Sequence, residues 1–316
     1  MVSHAHADHA YPGMKRYAAT PVSAAVMRLR LGANIVVDEY DYGVPFLING
    51  VTVSLHPAGH VPGSAQIRIE HKGRVWIATG DYKREFDGIS TAFEQLEGEG
   101  IITEGTFALP VYAWKSQATV MAEIDSWWQE NANAGKASVL YGYSLGKAQR
   151  VLAALAPLAN GRPMYGHGAV INVTDVLRNA GVPLPPLEHV GDDRLKTKTD
   201  YTGALIIAPP STQDSAWTKR FGDFEDATVS GWAALRASRR WRNMSRGFVM
   251  SDHADWQGLI KTVDDSKATY AGVFCGYRDT LSRYLAEERG LEVAAVPQRK
   301  VNDAQTPETD LTREEG

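Results

Sequence analysis

Apolar and polar positions over the first hundred residues alternate in short runs bounded by turn residues, which predicts strands joined by tight turns. Phe46-Leu47-Ile48 and Val51-Thr52-Val53-Ser54-Leu55 flank Asn49-Gly50, a dipeptide suited to the positive φ angles of a two-residue hairpin. A second hairpin pairs residues 66–70 with 74–79 across Lys72-Gly73, and 101–103 reads as a buried strand. Thr20-Pro21 opens a helix, with Thr20 as its cap, and Gly32 closes it. After Trp114 the pattern becomes an alternation of helix (116–131, 148–158, 171–179) and strand (137–142, and 204–208 ended by Pro209-Pro210). That alternation predicts a separate α/β unit with a parallel sheet. Strand returns at 248–251, Asp255 caps a helix, and a strand (269–274), a helix (279–289) and a last strand (291–296) follow. From Val301 the chain is polar and acidic, a disordered tail, and no internal repeat is present.

Composition narrows the class. At 316 residues, 44% hydrophobic and 22% charged, the chain reads as one large globular domain or two moderate ones. A net charge of −4 excludes a binder that works by overall positive field, so a polyanion must be held by a local patch or by metal. No apolar run is long enough to span a membrane, and histidines stand where a signal peptide would carry its apolar core. No membrane partner is expected. The single cysteine, Cys275, excludes an internal disulfide and points to the cytoplasm.

The candidate chemistry begins at His4-Ala5-His6-Ala7-Asp8-His9. A loop at a strand end can aim alternate side chains at one point, so His4 and His6 suit one metal, with Asp8 and His9 reaching a second beside it. Such ligands suit zinc, iron or manganese; the bland alternative is a solvated turn. His60 follows Pro57-Ala58-Gly59 at a strand exit, where a lone histidine is more often a surface residue. Asp81, in Thr79-Gly80-Asp81, is either a turn-former or a carboxylate that bridges two metals.

Together H-x-H-x-D-H, G-H and G-D, each at a strand end, resemble the metallo-β-lactamase fold. The resemblance implies that His4, His6 and His60 hold one metal, that Asp8 and His9 hold another, and that Asp81 bridges them. Glu104, and Ser251-Asp252-His253-Ala254-Asp255 after the inserted α/β unit, resemble the first two signature motifs of the β-CASP nucleases, whose insertion forms a lid domain. The turn from Tyr143 to Arg150 resembles one in that insertion. Read physically, Gly146 opens a helix N-terminus suited to phosphate, with Ser144 and Lys147 beside it. Arg236, Arg239, Arg240, Arg242 and Arg246 crowd one window with Trp232 and Trp241 nearby, a groove for a phosphate backbone or a solvated helix face.

Ser230-Gly231-Trp232, the arginine run, the stretch from Gly247 to Trp256 and Tyr165-Gly166-His167-Gly168-Ala169 are similar to the ligase-associated DNA exonucleases. That resemblance covers nearly all the chain up to Val301. It implies a metallo-β-lactamase αββα sandwich with an inserted β-CASP-like domain: 1–112 and 247–300 for the first, 113–246 for the second, and 301–316 for the tail. It also implies two divalent metal ions, zinc or manganese, and 3′ exonucleolytic trimming of DNA ends in repair, in association with an ATP-dependent DNA ligase. Asp8 and Asp81 would orient the attacking water, and His253, oriented by Glu104, would protonate the departing sugar oxygen or complete the second metal site. Two departures stand out. The strands normally placed before H-x-H-x-D-H are missing, since only Met1-Val2-Ser3 precede it. Phe274-Cys275-Gly276 stands where RNA-processing relatives carry a metal-binding His-Gly, which favours DNA over RNA and leaves Cys275 as a small buried residue or a thiolate ligand. An RNA nuclease, a small-ester or lactam hydrolase and a non-catalytic nucleic-acid-binding subunit are the rival readings.

Overall fold

A computed structural model describes residues 1–191, 199–235 and 246–297. Along its first segment β1 (Tyr17–Ala19), α1 (Pro21–Leu31), β2 (Val37–Glu39), β3 (Phe46–Ile48), β4 (Val51–Pro57), β5 (Ala65–His71), β6 (Arg74–Ala78) and β7 (Gly100–Thr103) follow one another. The side chain of Thr20 accepts from the Ser23 N–H at the start of α1, and Gly32 ends the helix at φ 106°. Asn49 and Gly50 take φ of 49° and 82°, which folds β3 back on β4 with Ile48 opposite Val51. The middle of the chain supplies α2 (Gln117–Asn133), β8 (Ala137–Tyr141), α3 (Lys147–Leu155), β9 (Met164–Gly166), α4 (Gly168–Asn179), β10 (Glu188–His189), β11 (Leu205–Ala208), β12 (Phe224–Val229) and β13 (Arg246–Phe248). The last segment supplies α5 (Trp256–Asp265), β14 (Tyr270–Val273), α6 (Arg278–Arg289) and β15 (Glu292–Ala295).

These elements form two compact α/β units. Of the described residues, the first holds 1–113 and 252–297, and the second holds those between 114 and 251. In the first unit a seven-stranded sheet has the order β15-β14-β7-β6-β5-β4-β3, while β1 and β2 pair separately in parallel. The hairpin half, β3 to β6, is antiparallel, and β6, β7, β14 and β15 are parallel. Ile77, Ile101, Ala271 and Val273 from the sheet meet Leu259 and Val263 of α5 and Leu281 and Leu285 of α6 in one buried core.

The second unit is an all-parallel sheet of six strands in the order β10-β9-β11-β8-β12-β13. Both faces are covered, as parallel sheets require. Leu140, Leu205, Ile207 and Val229 pack with α2 and α3 residues such as Ile124, Trp128 and Leu152. On the other face Val139, Tyr141, Ile206 and Ala208 pack with Tyr201 and Phe221.

Several boundaries differ from the sequence pattern. The helix expected at 148–158 begins at Lys147 and ends at Leu155, and a 3-10 turn continues to Leu158. Pro157 lacks the N–H that α-helix would need there. The helix expected at 171–179 starts at Gly168, because the His167 side chain accepts from the Ala169 N–H and caps it. The strand expected at 248–251 runs instead from Arg246 to Phe248 and pairs with β12, so Gly247–Ser251 stand with the second unit. Strands β1, β2, β9, β10 and β12 are absent from the periodicity. β12 carries Glu225 and Asp226, and backbone pairing with β8 and β13 overrides that polarity. The expected tail at 301–316 lies outside the described residues.

Trp128 is the largest fully buried side chain of the second core. Its Nε1–H donates to the Gly203 carbonyl at 2.9 Å, and the Arg162 guanidinium lies 3.8 Å from the ring centroid. Trp128→Ala removes that packing and leaves the carbonyl unpaired, and is expected to cost about 3–5 kcal/mol. Urea unfolding checks this: a loss below about 1 kcal/mol would show that the site collapses around the cavity.

Candidate metal centre

Strand direction gathers the candidate ligands. β6, β7 and β14 are parallel, and β4 runs the same way because β5 is antiparallel to both β4 and β6. Their C-terminal ends therefore share one edge of the sheet. His60 follows β4, Asp81 follows β6, Glu104 follows β7 directly and Cys275 follows β14. A glycine precedes two of these. Gly59 has φ 70°, and a Cβ there would lie 2.3 Å from the Lys83 carbonyl; Gly80 has φ 57°, and a Cβ there would lie 2.6 Å from Ser3 Cβ.

The histidine-rich segment at the N-terminus is tied down. Val2 is buried and its N–H donates to the Ala18 carbonyl at 2.9 Å; the Ser3 carbonyl accepts from Ala65 at 2.7 Å. The His9 and Ala10 N–H groups both donate to the His6 carbonyl, and Arg30 donates to the Ala5 carbonyl. These bonds fold 4–10 into a turn that faces the edge carrying His60 and Asp81.

Among the described residues four ligand sets result: His4, His6 and His60; His4, His9 and Asp81; His60, Asp81 and His253; and Asp81, Glu104 and Cys275, the ligand atoms of each lying within 4.8 Å of one another. Asp81 Oδ2 is the common point. It lies 3.3 Å from His9 Nε2, 3.7 Å from His4 Nε2, 3.9 Å from His60 Nε2 and 4.0 Å from His253 Nδ1. Asp81 Oδ1 is buried with no hydrogen-bond partner. His6 Nδ1 lies 3.0 Å from His4 Nε2 and 3.2 Å from His60 Nε2. His60 Nδ1 is 2.8 Å from the Asp252 carbonyl, which only accepts, so the His60 proton sits there and Nε2 faces inward as a bare lone pair. One proton on His6 cannot satisfy both neighbours, whereas a cation among the three nitrogens satisfies all. The donor set thus fits divalent metal.

Electrostatics follow from burial and from Asp81. Burial holds His4 well below its ordinary value and, with His253 nearby, holds His60 down at about 3. Burial also works against a charged His9, but the Asp81 carboxylate outweighs it and raises His9 to about 9. Burial alone would raise Asp81, yet the facing imidazoles, His9 first, keep it well below the usual carboxylate range. Glu104 is fully buried: its Oε1 accepts from the Tyr82 N–H at 2.8 Å, and its Oε2 lies 2.8 Å from His253 Nδ1. That pairing fixes the His253 ring with Nε2 turned away from Glu104.

Not every candidate joins the cluster. Asp8 Oδ2 is 3.8 Å from His9 Nε2, but its side chain is 45% exposed and stands outside the four sets. Cys275 joins Asp81 and Glu104, and burial pushes its thiol up. Ser144, Gly146 and Lys147 belong to the second unit. Ser144 and Lys147 are buried, and Lys147 Nζ lies 4.4 Å from the Tyr143 ring centroid. The helix start read as open is capped by the chain itself: Gly146 N–H donates to Gln149 Oε1 at 2.8 Å and Ala148 N–H to the Tyr143 carbonyl at 3.1 Å. Arg236, Arg239, Arg240 and Arg242 lie outside the described residues, as does Trp241. Arg246 sits in β13 with its guanidinium 5.2 Å from the Phe248 ring, and Trp232 is 36% exposed. Sequence reading missed Ser3, whose Oγ lies 3.1 Å from Nδ1 of both His4 and His9, and the Asp252 carbonyl. Adjacency to His4 was the one available signal for Ser3.

Comparison with known proteins adds four findings. No protein-family model matches the chain. It is 30% identical over 297 residues to a probable DNA ligase of Opitutus terrae, an alignment covering 93% of this chain and 28% of that protein. It is 26% identical over 145 residues to the endoribonuclease YSH1 of Saccharomyces cerevisiae, covering 35% of this chain and 19% of that one. The chain therefore spans less than a third of the length of these relatives. Its fold is similar to that of a protein of unknown function from Enterococcus faecalis V583, with a TM-score of 0.63 at 12% identity, covering 94% of this chain and 79% of that one.

The opposite shifts within the cluster give a pH signature for the metal-free protein. His4 and His60 are depressed when folded, so their contribution is complete above pH 6.5 and is lost as pH falls from 6.5 towards 3, with Asp81 acting in the same direction at the acid end. His9 is raised, so its contribution is complete below pH 6.5 and is lost as pH rises through about 9. Melting temperature with chelator present, scanned from about pH 4 to about pH 10, is expected to peak near neutrality. A melting temperature still climbing between pH 7 and about 9 would contradict this assignment.

Proposed function

We propose that this chain is a metal-dependent phosphodiester hydrolase with a metallo-β-lactamase fold and an inserted β-CASP-like unit. In this reading it acts in the cytoplasm as a 3′ exonuclease on DNA ends in repair, alongside an ATP-dependent DNA ligase. One observation carries the hydrolase reading: four imidazoles meet a single buried oxygen of Asp81. The similarity to a probable DNA ligase along most of the chain supports DNA as substrate. The shorter similarity to endoribonucleases supports nuclease chemistry and keeps RNA as the second reading.

His4, His6 and His60 would hold one cation, zinc or manganese, and His9 with Asp8 or His253 a second, with Asp81 between them. Bound there, the cations supply Lewis acidity towards the phosphodiester and lower the pKa of water. Asp81 and Asp8 orient that water by accepting its hydrogens. His253, its Nδ1–H held by Glu104, either completes the second site or, when protonated, delivers the Nε2 proton to the departing sugar oxygen. Ser144, Gly146, Lys147 and the arginines at 236, 239, 240 and 242 are the residues proposed to hold the strand's phosphates. Because the amides of Gly146 and Ala148 already have partners, the Lys147 ammonium and the arginine guanidinium groups are the stronger candidates for that contact.

End-labelled single-stranded DNA and matched RNA, incubated with Mn²⁺ or Zn²⁺, test the proposal. Stepwise loss of 3′ nucleotides from DNA is expected, with Asp81→Ala slower by about 100-fold or more. Shortening of RNA alone selects the endoribonuclease-like reading. Equal activity of wild type and Asp81→Ala on DNA rejects the metal mechanism.

A further inference from the structure

Each inward-facing imidazole needs an acceptor behind it. A ring that presents Nε2 to a metal must place the Nδ1 proton somewhere, and the group receiving it fixes both tautomer and ring plane. His60 uses the Asp252 carbonyl, and His253 sets its Nδ1 against the Glu104 carboxylate. His4 and His9 have neither. Both turn Nδ1 to the same atom, Ser3 Oγ, at 3.1 Å each, while their Nε2 atoms lie 3.7 and 3.3 Å from Asp81 Oδ2. The two ring centroids are 4.1 Å apart.

We infer that Ser3 is a positioning residue that couples two neighbouring metal positions through one hydroxyl. The inference rests on the two-cation reading of the centre. A hydroxyl oxygen has two acceptor lone pairs, so Ser3 Oγ takes the Nδ1–H of His4 on one and of His9 on the other. His4 belongs both to the set with His6 and His60 and to the set with His9 and Asp81, and the two-cation reading gives His4 to the first position and His9 to the second. Ligands of both sets are thereby oriented by a single atom. A backbone carbonyl dedicated to each ring would orient them independently.

Ser3 is well placed for this. It is 9% exposed, and its carbonyl accepts from Ala65 at the start of β5. Its side chain lies against Gly80, where any Cβ would come within 2.6 Å of Ser3 Cβ and 2.9 Å of Oγ. The glycine that lets the hydroxyl in is the residue before Asp81. The same contact thus sets the distance between the shared hydroxyl and the shared carboxylate. Removing the hydroxyl frees two rings at once and leaves two imidazole N–H groups without a buried acceptor.

The test uses the full chain with Ser3→Ala and Ser3→Thr. Zn²⁺ affinity is measured by competition with a chromophoric chelator, Co²⁺ loading by visible absorption, and melting with chelator present. Wild type is expected to bind two ions. Ser3→Ala is expected to bind both about 10- to 100-fold more weakly, with altered Co²⁺ bands and a metal-free melting temperature only a few degrees below wild type. Ser3→Thr keeps a hydroxyl and is expected to retain affinity near wild type. Weakening at one position only, or none at all, overturns the coupling. So does a Thr variant as weak as Ala, and so does a large fall in metal-free melting temperature, which would make Ser3 a packing residue. If wild type itself binds no metal, the proposed function fails, and this inference with it.

Discussion

A carboxylate taken out of water must be matched by groups that favour its charge, or it protonates. Asp81, 5% exposed, is such a group, and the first unit is arranged around it. Its Oδ2 is approached by ring nitrogens from the N-terminal turn, from the loop after β4 and from the segment before α5. In the metal-free protein that matching rests on the proton held by His9, whose pKa the carboxylate raises to about 9. His4 and His60 are too buried to share the charge, and burial pushes both towards the neutral form. A divalent cation held there would take the place of the His9 proton and satisfy the lone pairs that His4 and His60 turn inward.

The supporting layer follows from the same demand. Imidazoles at close quarters repel or misalign unless each outward nitrogen is pinned. The pins here are a serine hydroxyl, a backbone carbonyl and a buried glutamate that also receives the Tyr82 N–H. Gly59 and Gly80 let the two loops approach backbone and side chains that no Cβ would allow. The centre is therefore a packed object, and the turn from His4 to His9 is held by the bonds of Val2 to Ala18, Ser3 to Ala65 and Ala5 to Arg30 despite its place in the chain.

Much of this was legible beforehand. His4, His6 and His9 stand out by their spacing within six residues, and His60, Asp81, Glu104 and His253 because each follows a strand-like run or a turn, local patterns that mark strand ends. The hairpin at Asn49-Gly50 and the cap at Thr20 were legible for the same reason: their determinants lie within four residues. β12 was not, because Glu225 and Asp226 hide a strand that exists through its neighbours β8 and β13. The capping of α3 by Gln149 was not, because a side chain reaching back over one turn looks like any helical glutamine. Asp8 carried the same motif signal as its neighbours, but the turn made by 4–10 sends its carboxylate to the rim.

The sequence by itself determined the residue types, the hairpins of the first hundred residues, and the alternation that separates two α/β units, because those depend on spacing along the chain. Only the tertiary structure decided which atoms meet. The direction of β4, β6, β7 and β14 puts four loop ends on one edge, and direction is a property of pairing between strands distant in sequence. It also decided that Ser3 faces two histidines and that Asp81 Oδ2 is the shared oxygen. The first depends on how the chain turns back on itself within six residues and the second on segments dozens of residues apart, and no periodicity records either.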